Sequence, residues 1–109
     1  MLESQIERRL VNGIKKLGGL IFKFISPGTA GVPDRIIITP TGKVIFVELK
    51  SKTGRLSKLQ KYTKEQIKKR GADVREVKGL DEVNQLLNEL GGILWNFNPT
   101  LTNSTVLTA

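Results

Sequence analysis

The sequence predicts a mixed α/β domain with a central sheet flanked by helices, in the order α-β-β-β-α-β-α. Three observations carry that prediction. Apolar residues recur at helical spacing over residues 2–17, three short strand-like runs follow between residues 20 and 50, and a lysine-rich amphipathic stretch precedes one more strand and helix. At 109 residues the chain is long enough for one such domain and too short for two.

Leu2, Ile6, Leu10, Ile14 and Leu17 make the first helix, and Gly18-Gly19 stops it. Residues 20–25 read as a short strand, followed by the Gly- and Pro-punctuated loop SPGTAGV. Residues 33–39 and 43–50 are two more strands, and Thr-Pro-Thr-Gly between them predicts a tight antiparallel hairpin. Ser57 is a good N-cap for a basic helix to Arg70, with Gln60 completing a capping-box pattern. Leu56, Leu59, Thr63 and Ile67 are expected on its inner face, and Lys58, Lys61, Lys64 and Lys68 on another. Gly71 ends it, residues 72–77 form a strand, and residues 80–90 a last helix closed by Gly91. Residues 91–109 carry no charge, yet hold the single tryptophan. They are expected to be a separate tail, either disordered or an interface segment.

Composition narrows the chemistry. The chain has no cysteine and no histidine, which removes disulfides, thiolate zinc sites and the commonest general base. Catalysis must then run on carboxylates, lysine, hydroxyls or a hard metal ion bound by oxygen. No apolar run is long enough to span a bilayer and no signal-peptide segment is evident, so no membrane partner and an intracellular location are expected. The net charge is +8, and the segment from Lys50 to Arg70 alone holds nine cations against Glu65, the same excess. A stripe of that density points to a polyanion, with nucleic acid first; a solvated lysine-rich helix is the plainer alternative.

The site candidates lie in GVPDRIIITPTGKVIFVELKSK, residues 31–52, where two apolar runs each carry an acid, Asp34 and Glu48. Buried carboxylates are costly unless paired or metal-bound. Alternation puts Glu48 and Lys50 on one strand face with Phe46 and Val44, and the hairpin can bring Asp34 beside Glu48. Two adjacent carboxylates favour Mg²⁺ or Mn²⁺, which can activate water and stabilise charge on a phosphate, with Lys50 placed to assist. The structural alternative is that Asp34 ends a strand and Glu48 pairs with Lys50 or an arginine.

Pro33-Asp34 with Glu48-Leu49-Lys50 resembles the signature of the PD-(D/E)xK nuclease superfamily. The fuller string SPG…GVPDRI…GKVIFVELK…LSKLQ is similar to the VRR-NUC (virus-type replication-repair nuclease) branch, over about residues 3–80. The resemblance implies a restriction-endonuclease-like α-β-β-β-α-β core within residues 1–90, plus the extra C-terminal helix. It implies that Asp34, Glu48 and the Leu49 carbonyl bind Mg²⁺ or Mn²⁺, and that Lys50 is the catalytic lysine. It also implies a first-helix glutamate near the metal, Glu7 in preference to Glu3, and a glutamine approaching the site, Gln60.

The function so implied is metal-dependent cleavage of DNA phosphodiester bonds, and the small stand-alone domain resembles Holliday junction resolvases. A four-way junction needs two symmetric cuts, so a homodimer is expected, joined through the helix at residues 2–17 or the tail. Cutting of flaps, nicks or duplex ends is the alternative activity, and a non-catalytic nucleic-acid-binding module the alternative class. Lys52, Arg55, Lys58 and Lys61 are assigned to the DNA backbone, with recognition by shape, because aromatics are too few for a stacking platform. The loop at residues 26–32 either approaches a phosphate or merely connects. The resemblance also points to a viral or phage source.

Overall fold

The computed structural model describes residues 2–97. Its elements are α1 (Glu3–Lys16), β1 (Leu20–Lys23), β2 (Arg35–Ile38), β3 (Val44–Lys50), α2 (Lys58–Lys69), β4 (Asp73–Lys78) and α3 (Gly79–Phe97), the expected order. They form one four-stranded sheet, β1-β2-β3-β4, antiparallel except for the parallel β3–β4 pair. A parallel pair requires a crossover, and α2 supplies it.

Ile6, Leu10, Gly13 and Ile14 are the buried stripe of α1, and they pack on α3 and one sheet face. Gly13 lets the two helices approach, since a Cβ there would run into the Leu87 side chain. The core adds Ile37, Ile45, Val47, Leu49, Val77, Val83, Leu86, Leu87 and Leu90. Ile6, Leu10 and Ile14 of the apolar stripe are therefore consumed inside the domain, while Leu2 at its start stays 68% exposed.

The hairpin turn is held by Thr39, whose amide donates to the Lys43 carbonyl at 2.9 Å and whose hydroxyl accepts from the Lys43 amide at 3.0 Å. Gly42 takes φ +89° there, a conformation that disfavours side chains.

Two details differ from the sequence reading. Gly91 does not close the last helix, because α3 continues through it to Phe97. A glycine ends a helix by adopting a left-handed φ; left in helical geometry it costs only about 1 kcal/mol. The remainder of the proposed tail, residues 98–109, lies outside the described residues. Leu59, placed on the inner face of α2, is 48% exposed, and no residue of α2 is fully buried. The reason is geometric: α2 packs on β4 at one side of the sheet and has little beneath it elsewhere.

Candidate active site

The β2–β3 register pairs Arg35 with Val47, so the next step along places Asp34 opposite Glu48. Both side chains stand on the α2 side of the sheet, the opposite face from Ile37, Ile45 and Val47. Asp34 Oδ1 accepts the Leu49 amide at 3.1 Å, which ties the end of the loop to the end of β3. Glu48 is 8% exposed. Lys50 Nζ lies 3.8 Å from Glu48 Oε2, close enough for attraction and too far for a strong hydrogen bond. The convergence expected of Asp34, Glu48 and Lys50 is present.

Burial dominates the electrostatics. It raises the Asp34 carboxyl, against the Leu49 amide bond and the charges of Arg35 and Lys50. It also pushes Glu48 up to about 7, assisted by the Asp34 charge and, less strongly, by Glu3 and Glu76, with Lys50 opposing. A buried acid beside a half-buried one, with incomplete compensation, is a ready host for a cation. Among the described residues no three Asp or Glu side chains close into a cage. Asp34 and Glu48 thus offer hard oxygen donors on an open site, a set that suits Mg²⁺, which keeps waters and takes up phosphate oxygens. The Leu49 backbone is beside them through its amide.

Gln60 has two roles in one side chain. Its Oε1 accepts the Ser57 amide at 2.8 Å, its own amide donates to Ser57 Oγ at 3.1 Å, and its Nε2 donates to Glu48 Oε2 at 3.3 Å. The capping box therefore aims Gln60 at the carboxylate. Gly31, at φ +86°, packs against Leu59 so closely that a Cβ would fall 2.7 Å from Leu59 Cγ. The glycine-rich loop before Asp34 is thus seated on the first turn of α2, more than a free connector.

The first helix divides its two glutamates. Glu7 is ion-paired with the buried Arg35 of β2 and borders, with Asp34, Lys23, Phe24 and Ile25, a depression of about 230 Å³. Glu3 is the glutamate whose charge acts on Glu48. Lys52, Arg55, Lys58 and Lys61 are all exposed, and among the described residues none is in an ion pair. Lys52 also lines a cleft of about 500 Å³ with Ile6, Lys78 and the first turn of α3.

Two neighbours were not singled out in the sequence. Glu76 is the registered partner of Glu48 on β4, and Arg35 anchors Glu7. The alternation in Asp73-Val74-Arg75-Glu76-Val77 puts Glu76 on the α2 side with Val74, but only the β3–β4 register brings it to Glu48.

The sequence pattern of the VRR-NUC domain matches residues 3–81, which contains every residue of this constellation. The chain belongs to the VRR-NUC domain family. A solved VRR-NUC domain superposes with TM-score 0.74 at 31% identity, covering 79% of this chain and 94% of that one. A second VRR-NUC domain protein shares the fold at TM-score 0.65 and 19% identity, covering 83% and 88%. The protein named "Putative nuclease p44", from Acyrthosiphon pisum secondary endosymbiont phage 1, is 53% identical over 49 residues. That match takes in 45% of this VRR-NUC chain and about half, 53%, of the phage protein. Among the described residues, no helix of the domain is long and apolar enough to cross a membrane.

Proposed function

We propose that this VRR-NUC domain is a metal-dependent DNA endonuclease that resolves four-way junctions as a homodimer. The observation that carries the nuclease reading is the pairing of half-buried Asp34 with buried Glu48 on one sheet face, short of compensating charge, with Lys50 3.8 Å from Glu48. Asp34 and Glu48 would hold Mg²⁺ or Mn²⁺, which when bound supplies an acidified water and an electrophile for the scissile phosphate. Lys50 neutralises charge that develops on the phosphate or orients the attacking water. Gln60 donates to Glu48 Oε2 and so fixes the carboxylate, which would leave its other oxygen for a metal. Glu3 lends a minor negative charge to the surroundings of Glu48 from α1, and Glu7, held by Arg35, borders the same depression as Asp34 and braces α1 on β2.

DNA as substrate is supported by Lys52, Arg55, Lys58 and Lys61, which are exposed and, among the described residues, in no ion pair. The phage relative supports a nuclease of viral origin working inside the host cell. The junction preference rests on the one Asp34–Glu48 pair that the described residues hold, since paired cuts need a second.

The test uses a labelled four-way junction, a flap, a nicked duplex and a linear duplex, with Mg²⁺, Mn²⁺ or EDTA, beside Glu48→Gln. Paired symmetric cuts in the junction alone, lost in EDTA and in the variant, are the expected result. Cutting of flaps, nicks or ends would keep the nuclease and remove the resolvase. Binding without cleavage in either metal would leave a nucleic-acid-binding module.

A further inference from the structure

The parallel strands β3 and β4 both end on a lysine. Their register sets Glu48 beside Glu76, Leu49 beside Val77 and Lys50 beside Lys78, so β4 repeats the Glu-x-Lys pattern of β3 about 4.8 Å away. Lys78 is half-buried and, among the described residues, in no ion pair. The cleft of about 500 Å³ opens beyond these strand ends, between Lys52 and the first turns of α3. Crevices outside the carboxyl ends of parallel strands are where α/β sheets take their ligands. Gly79, at φ +74°, turns the chain from β4 into α3 there, and a Cβ on it would fall 3.2 Å from Lys52 Cβ. The two walls of the cleft are thus held by a close contact.

We propose that this cleft seats one unpaired nucleotide of the DNA strand being cut, with Lys78 holding the phosphate next to the scissile one. Three properties select that occupant. The first is charge: Asp81 and Glu82 balance Lys52 and Lys78, so the cleft as a whole is neutral and does not gather a run of phosphates. Those acids also turn the start of α3 against an anion, and Glu82 is engaged with the Lys78 amide at 2.8 Å, which leaves phosphate to the lysines. The second is lining: Ile6 and Leu80 offer apolar surface and Gln85 an amide that both donates and accepts, a mixture that suits a nucleobase. The third is size. The volume is that of a pocket for one small ligand and far too small for a duplex. A base enters such a space only after leaving its stack, which costs least where it is already unpaired.

The cleft also stands apart from the chain's C-terminal segment. α1 and α3 run side by side in the same direction, with Ile6 at the cleft, Gly13 against Leu87 and Leu17 against Gly91. Residues 98–109 continue from the far end of α3, roughly 25 Å along its axis from Leu80. The inference rests on the nuclease reading for its strand and its scissile phosphate. It narrows the substrate to branches at which a nucleotide beside the cut is out of the stack.

The test measures binding of the full chain, by fluorescence anisotropy in EDTA so that no strand is cut. Two labelled four-way junctions are compared, identical except for one unpaired adenine beside the branch. The unpaired adenine should tighten binding about tenfold, and that advantage should vanish when the cleft is filled in Gln85→Trp and, independently, in Leu80→Trp. Lys78→Gln should lower the salt slope of log Kd by about 1. Circular dichroism checks that each variant stays folded. Equal affinity for the two junctions overturns the proposal, and so does an advantage that survives both tryptophan variants. An unchanged salt slope in Lys78→Gln overturns the phosphate contact. Tighter binding with no cleavage in Mg²⁺ or Mn²⁺ would sink the nuclease reading and keep the cleft, whereas cleavage of both junctions at equal affinity would do the reverse.

Discussion

Replacing Glu48 by glutamine tests the link between the site and the stability of the fold. Burial, with the Asp34 charge behind it, moves this carboxyl from 4.5 up to about 7. Between those values the folded protein keeps a proton that the unfolded chain has released. The stability so contributed is complete below about pH 4.5 and is lost as pH rises through about 7. The difference, about 7 less 4.5, is about 2.5 units, or ~3 kcal/mol. Glu48 is 8% exposed, so solvent screening removes little of this. Glu48→Gln cannot titrate. The unfolding free energy of the wild type relative to the variant should therefore fall by ~3 kcal/mol between about pH 4.5 and about pH 8.5. Urea titrations in EDTA across that range measure it, with a constant m-value as the check on two-state behaviour. Mg²⁺ added at the alkaline end should restore stability to the wild type and not to the variant. Parallel pH curves for the two proteins would refute the reasoning, since they would mean that Lys50 already compensates the buried charge.

Other substitutions separate the roles that the geometry assigns. Gln60→Glu keeps an acceptor for the Ser57 amide but sets a carboxylate against Glu48; cleavage should drop about tenfold or more with the melting temperature nearly held, whereas Gln60→Ala should also lose ~1 kcal/mol of helix capping. Glu7→Gln weakens the partner of the buried Arg35 and should cost ~1–3 kcal/mol in denaturant titrations with cleavage largely kept. Glu3→Gln should show the opposite pattern, with slower cleavage and stability within about 0.5 kcal/mol. Gly31→Ala forces a side chain into φ +86° and against Leu59, and should lower stability by ~1–2 kcal/mol or more, read as a melting shift of about 4–8 °C per kcal/mol.

Much of the constellation was legible in the chain because it is local. Asp34 and Glu48 lie on the two arms of one hairpin, and a tight turn at Thr39–Gly42 leaves little freedom in register. Gln60 reads as a cap from Ser57 three residues earlier, and its second contact with Glu48 follows once α2 is docked. Glu3 and Glu7 were harder. Four residues apart on α1, they share a helix face, and sequence spacing gives no reason for Glu7 rather than Glu3 to meet Arg35. Glu76 was out of reach for the same reason, since its place beside Glu48 depends on a parallel pairing across the α2 crossover.

The amino-acid sequence by itself determined the element order, the hairpin, the basic helix, the family and the identity of the paired acids, because periodicity, turn chemistry and capping act within a few residues. Tertiary structure alone decided that Glu7 of α1 pairs with Arg35, that α3 runs past Gly91, and that α2 packs mainly on the β4 side of its sheet face. Those outcomes turn on how the α1 and α3 faces and the crossover settle on the sheet, and distant packing, summed over many weak contacts, outweighs any local preference.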